Sequence, residues 1–224
     1  MKQILVWTSL VFSLVFASAA EAVSNVNGST GLIYMPTAES LDYQKFSLGA
    51  DSNLDRLSNG DDGGFYSYKM SLGTFQNIEM GIVGGQKPDE GVFVNFKYFL
   101  MSNNERYPIY IAVGMENIGA HNDSNAYLVA SKRFPSGWHG HFGFQAKLQE
   151  NVSSSAMLGA EYIVSDQWSV LGELVEDQDV YIFNMGARYF MSTDISFRLA
   201  LLDLGQRQSE DVTIVLGVSL EQFI

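Results

Sequence analysis

His139 and His141 stand two residues apart, and Glu161 follows about one strand further on. Two imidazoles and a carboxylate on one face could share a metal ion or supply the base of a hydrolase. Two histidines alone make an incomplete metal shell, and no Ser-His-carboxylate spacing accompanies them. The expectation is a polar lining with no catalytic residue, metal or cofactor.

A larger ionisable set falls on the same parity through the chain. It comprises Lys45, Lys69, Lys97, Lys147, Arg188 and Arg198 against Glu79, Glu116, Glu161, Glu173 and Glu221. Residues of one parity on a strand share one face, so these groups belong to one side of a sheet. Both signs on neighbouring strands make cross-strand ion pairs plausible and argue against strong ion selectivity. Gly49, Gly81, Gly114, Gly143, Gly159, Gly186 and Gly217 share that face, where glycine eases curvature or leaves room for opposing side chains. A third set, which takes in Asp51, Asp55, Asp61, Asp62, Asp89, Glu90, Asp123, Glu176, Asp177, Asp179, Glu210 and Asp211, falls in the longer connections. Carboxylates there could share divalent cations with lipopolysaccharide, but solvated loops are the simpler account and no calcium-loop spacing is present.

Strands must carry these residues. The alternation is clearest in Val92, Val94, Phe96, Tyr98 and Leu100, and again in Tyr181, Phe183, Met185, Ala187 and Tyr189. Segments starting near Phe46, Tyr66, Ile78, Val92, Ile109, Tyr127, Trp138, Ala156, Trp168, Tyr181, Ile195 and Val212 give about twelve strands of roughly nine to eleven residues, enough to cross a bilayer at a tilt. Near Tyr127 the register is ambiguous, because Leu128 and Ala130 compete with Val129 for the apolar face. Pro36, Pro88, Pro108 and Pro135 fall in turns or at strand starts, where a sheet tolerates them.

The connections alternate. Tight ones at 74–76, 102–106, 135–137, 165–166 and 192–194 interleave with longer polar ones. Phe75, Tyr98, Tyr107, Phe134, Trp138, Tyr162, Trp168, Tyr189 and Phe190 gather beside the tight set, as an aromatic girdle does at headgroup level. A soluble β-sandwich would scatter its aromatics over the strands. The fold class expected is therefore all-β: an antiparallel up-and-down transmembrane barrel, apolar side to lipid, both termini periplasmic.

Composition agrees. The chain of 224 residues is 46% hydrophobic and 17% charged, below the quarter usual for soluble proteins. Mean hydropathy is only +0.02, and past the N-terminus no apolar run reaches the ~18 residues of a spanning helix. A net charge of −12 argues against nucleic acid as a partner. The absence of cysteine excludes disulfides and thiolate metal sites. Residues 1–20 read as a signal peptide: Lys2, the apolar run from Ile4 to Phe16, then Ala17-Ser18-Ala19 for cleavage. That leaves 21–43 as an N-terminal periplasmic segment and 44–224 as the barrel. The last strand ends with Phe223 next to last, which resembles in part the terminal strand recognised by the barrel assembly machinery.

Before the first strand stands Gly28-Ser29-Thr30-Gly31-Leu32-Ile33-Tyr34-Met35-Pro36-Thr37-Ala38. Its Gly28, Gly31, Leu32, Ile33, Pro36, Thr37 and Ala38 resemble the opening of YjbH-like outer-membrane proteins, a family associated with exopolysaccharide production. Members usually follow the motif with an Asp-Gly turn, where this chain has Leu41-Asp42-Tyr43-Gln44. They are also longer, so the chain corresponds to a barrel portion. Physically the motif supplies two glycines and a proline-fixed bend, suited to packing into the periplasmic mouth or to a plain turn leading into strand one.

The resemblance implies residence in the cell outer membrane, with lipid and lipopolysaccharide around the barrel and polysaccharide-export proteins as partners. The function expected is a non-enzymatic pore or a component of exopolysaccharide export. The alternatives are a structural or surface-interaction barrel with a filled lumen, or a lipid-modifying enzyme using His139 and His141. Against the enzyme, those histidines lie near a tight turn, at the mouth opposite the outer leaflet.

Overall fold

The computed structural model describes residues 22–54, 65–86, 90–101, 109–121, 124–148, 152–177, 180–207 and 212–223. Twelve strands are present: β1 (Lys45–Asn53), β2 (Tyr66–Phe75), β3 (Ile78–Gly85), β4 (Gly91–Met101), β5 (Tyr110–Ile118), β6 (Asn125–Arg133), β7 (Trp138–Lys147), β8 (Ser153–Ser165), β9 (Trp168–Asp177), β10 (Val180–Phe190), β11 (Ile195–Leu202) and β12 (Thr213–Phe223). Each pairs antiparallel with its sequence neighbours, and β1 pairs with β12 from Lys45↔Phe223 to Asn53↔Val215, closing the barrel. Closure removes the unpaired edges an open sheet would expose.

The alternation decides which side faces out. Leu158 (57% exposed), Phe144 (52%) and Leu128 (46%) point away from the lumen. Their neighbours Met157, Gly143 and Val129 point in. Leu128 therefore wins the apolar outer face of β6, and Val129 goes inside.

Tight turns join β2–β3, β6–β7, β8–β9 and β10–β11 at one mouth, which is also where β1 starts and β12 ends. The expected tight turn between β4 and β5, with Tyr107, lies outside the described residues, as do residues 1–20 and most of the acidic loop positions. At the short-turn mouth Trp138 stacks on Tyr162 at 4.7 Å and Trp168 on Tyr189 at 4.8 Å, in cross-strand pairs. Phe75, Phe134, Trp138 and Trp168 are exposed there, forming a girdle.

Residues 22–41 run inside the barrel, and Asp42 and Tyr43 are exposed at its short-turn mouth. The segment bridges Ser24 to Thr30 and Gly31 to Pro36. It is shaped by internal bonds such as Asn25 N–H to Ser29 O (2.7 Å), Val26 N–H to Ile33 O (2.8 Å) and Leu32 N–H to Met35 O (2.9 Å). Gly28 has φ +96° and Gly31 lies where a Cβ would strike the Met35 carbonyl, so the motif's glycines are needed by its backbone. The segment returns to the short-turn mouth and enters β1 through a turn, with Lys45 N–H on Asp42 O and Gln44 at φ 66°.

Candidate functional site

The lumen and the segment within it form the site. The Gly28–Ala38 motif, expected at the periplasmic mouth or as a plain turn, lies instead in the interior of the barrel. Ile33 and Met35 are 0% exposed, Leu32 and Val26 1%. Sockets receive them: a Cβ at Gly159 would collide with Leu32 and Met35, and one at Gly186 would press on Ile33 Cδ1 at 3.3 Å.

Wall side chains hold the segment mainly by its main chain. Glu173 accepts N–H groups from Ile33 (3.0 Å), Tyr34 (2.8 Å) and Met35 (3.0 Å), with Asn184 Nδ2 as a further donor at 3.0 Å. Glu79 accepts from Thr30 N–H (2.8 Å), Thr30 Oγ1 (2.6 Å) and Leu41 N–H (3.0 Å). Lys97 donates to Thr30 O (2.7 Å) and Glu39 O (2.9 Å). Arg188 donates to Gly31 O and Leu32 O, and Arg198 to Ser24 O and Leu32 O. Lys69 donates to Asn25 O, and Glu116 accepts from Asn25 Nδ2 at 2.9 Å. Buried ions need such partners, because desolvation otherwise outweighs their attraction.

Ion pairs between wall residues are the lesser part of this network. Lys97 Nζ lies 3.8 Å from Glu79 on the adjacent strand. Arg188 reaches Glu161 at 3.4 Å across the intervening β9. Asp51 pairs with both Lys69 and Arg198. Its place corrects the expectation of a loop residue: Asp51 sits inside β1, faces the lumen and is 3% exposed.

His139 and His141 also face in, beneath the returning limb of the segment. Ser131 Oγ accepts the Ala38 N–H at 2.8 Å and lies 2.8 Å from His141 Nδ1. Its hydroxyl thus holds the segment rather than standing open to a substrate. Glu39 of the segment binds Arg133 Nε at 2.8 Å, with His139 Nδ1 3.9 Å away. No group of three potential metal ligands occurs among the described residues.

The remaining predicted lining residues lie nearer the ends. Lys45 pairs with Asp42 at 3.0 Å, its Nζ 4.9 Å from the centre of the Phe223 ring. Lys45, Glu161 and Glu221 border a cleft of about 550 Å³ at the short-turn mouth. Lys147 ends β7 at the opposite mouth, half-buried and away from the cluster.

The parity reading missed an apolar lumen. Val83, Ala112, Val129, Met157, Leu171, Val175, Ile182, Ala200, Leu202 and Val215 are buried inside. Their signal is a local break in alternation, where two apolar residues adjoin: Ile82-Val83, Leu128-Val129, Val170-Leu171, Leu174-Val175 and Val215-Leu216. One of each pair faces lipid and the other faces the segment.

No protein-family model and no curated protein sequence matches the chain. Solved structures do. The KdgM porin superposes with a TM-score of 0.56 at 12% identity, covering 80% of this chain and 99% of the porin. The COG4313 outer membrane channel of Pseudomonas putida F1 superposes with a TM-score of 0.50 at 13% identity, covering 83% and 98%. The fold shared with these outer-membrane proteins is a closed antiparallel β-barrel, here of twelve strands.

Proposed function

We propose that this protein is a non-enzymatic channel of the cell outer membrane, held closed at rest by residues 22–41. The observation that carries the reading is the segment itself, seated across the lumen with Ile33 and Met35 fully buried. The lumen wall is part charged and part apolar, and the space it encloses is taken by the chain's own segment. In this reading the short-turn mouth and both termini face the periplasm, and the barrel assembly machinery inserts the chain.

Withdrawal is costly. Val26, Leu32, Ile33 and Met35 are at most 1% exposed, and returning four such side chains to water costs about 6–12 kcal/mol. Spontaneous opening is then rarer than about one in ten thousand, so opening needs outside work. The resemblance of Gly28–Ala38 to YjbH-like proteins supports exopolysaccharide export as the setting, with polysaccharide-export proteins on the periplasmic side to do that work. The same cost favours a second reading, a permanently filled structural or surface-interaction barrel.

A disulfide separates the two. Ser24 Oγ of the segment lies 3.3 Å from Ser47 Oγ of β1, and the chain has no cysteine. The Ser24→Cys/Ser47→Cys protein is expected to be silent in planar bilayers when oxidised. When reduced, with voltage or sub-denaturing urea applied, it should show discrete conductance steps. Silence in both states overturns the channel and leaves the filled barrel.

A further inference from the structure

We infer that the lumen is a binding site for a polypeptide turn, read through its main chain, with residues 22–41 as its resident ligand. The inference rests on the closed-channel reading only in treating the segment as separable from the wall.

From Val23 to Ala38 the segment carries no charged side chain. The charged wall groups that meet this stretch nevertheless point at it. Glu173 takes three consecutive N–H groups, and Arg188 and Arg198 take carbonyls. Such contacts recognise the shape of a turn rather than its side chains, much as backbone amides form an anion-binding nest. Here the anion belongs to the receptor and the nest to the ligand.

Side-chain selection comes from the aliphatic tip and from a few polar contacts, Asn25 Nδ2 on Glu116 at 2.9 Å and Thr30 Oγ1 on Glu79 at 2.6 Å. Leu32 and Met35 fill the space over Gly159, and Ile33 fills that over Gly186. The chemical class of ligand is therefore a tight, uncharged polypeptide turn with aliphatic residues at its tip. The segment also keeps its own shape, through the Ser24–Thr30 and Gly31–Pro36 bridges and the bonds within them. Its covalent link to β1 runs through Asp42 and Tyr43, both exposed at the short-turn mouth. Cutting there leaves the bonds from Glu173, Arg188 and Arg198 in place.

The test inserts a site-specific protease sequence between Asp42 and Tyr43 of the full chain and nicks the folded protein in detergent. The N-terminal fragment is expected to co-elute with the barrel in equal amount until urea releases it. A labelled synthetic peptide of residues 22–42 should then rebind as the urea is removed. Replacing the Met35 amide by an ester removes one N–H from Glu173 and should weaken the peptide about 10- to 150-fold. Met35→Leu, which conserves volume, should weaken it less than about tenfold. A fragment that elutes free after nicking overturns the inference, as does a Met35→Leu peptide weakened as much as the ester. Co-elution is read without conductance, so a silent bilayer counts against the channel and not against this site.

Discussion

Glu173 of β9 accepts the main-chain N–H of Tyr34 at 2.8 Å, joining residues 139 apart in the chain. The same carboxylate takes the amides on either side of Tyr34. Glu173→Gln turns one acceptor oxygen into a donor facing N–H groups. The variant should lose about 1.5–3 kcal/mol and open more often in bilayers. The check is the urea midpoint for loss of heat-modifiable migration, and a midpoint equal to the parent's would show that the carboxylate is dispensable.

Gly159 and Gly186 offer a test of the sockets. Valine at Gly159 competes with Leu32 and Met35 for space, and valine at Gly186 with Ile33 and also with the Leu199 carbonyl of β11; overpacking costs about 1–3 kcal/mol. Gly140 faces outward, where a Cβ would meet only the Phe134 ring at 3.5 Å. Gly159→Val and Gly186→Val should thus lower the unfolding midpoint, and Gly140→Val should leave it near the parent's. Equal effects at all three would place the cause in the strands rather than in the segment.

Asp51 stands between Lys69 and Arg198, all three buried. Asp51→Asn leaves two buried cations without their counter-ion and should cost about 3–5 kcal/mol. Removing one cation as well, in Asp51→Asn/Lys69→Met, should cost less than the sum of the single changes. Strict additivity in urea unfolding would show that the pair is not coupled.

Leu158 and Met157 are neighbours on opposite faces of β8, 57% and 1% exposed. Leu158→Arg puts a charge in the lipid and should cost about 2–4 kcal/mol near the bilayer midplane. Met157→Ala opens a cavity against the lumenal cluster and should cost about 2–5 kcal/mol. Folding into bilayers of increasing thickness should aggravate the first and leave the second unchanged. A thickness dependence in both would mean that the faces are misassigned.

Period-two alternation made the barrel legible, because a strand flanked by lipid and by a polar lumen must write both solvents into its sequence. Leu128 and Val129 show where that failed. With apolar surroundings on both sides the alternation vanished, and only pairing with β5 and β7 settled the register. Asp51 was misread for a related reason. A carboxylate beside the Asp-rich stretch 51–62 looks like loop, and its partners Lys69 and Arg198 are 18 and 147 residues away. The Gly28–Ala38 motif announced a special backbone, but nothing in an uncharged stretch reveals that distant glutamates and arginines will bind its amides and carbonyls.

Arg198 bonds the Ser24 carbonyl across 174 residues of chain, and Arg188 bonds Leu32 across 156. These contacts join the first part of the barrel to be synthesised with almost the last. They cannot form until β10 and β11 have been laid down, and contacts of such separation form late because loop closure must be paid for first. Completing the filling of the lumen and sealing the β1–β12 seam are therefore bound together in time. The segment's bonds to Glu79 and Lys97 can form while the sheet is still open, and the two arginines complete its capture as the cylinder shuts.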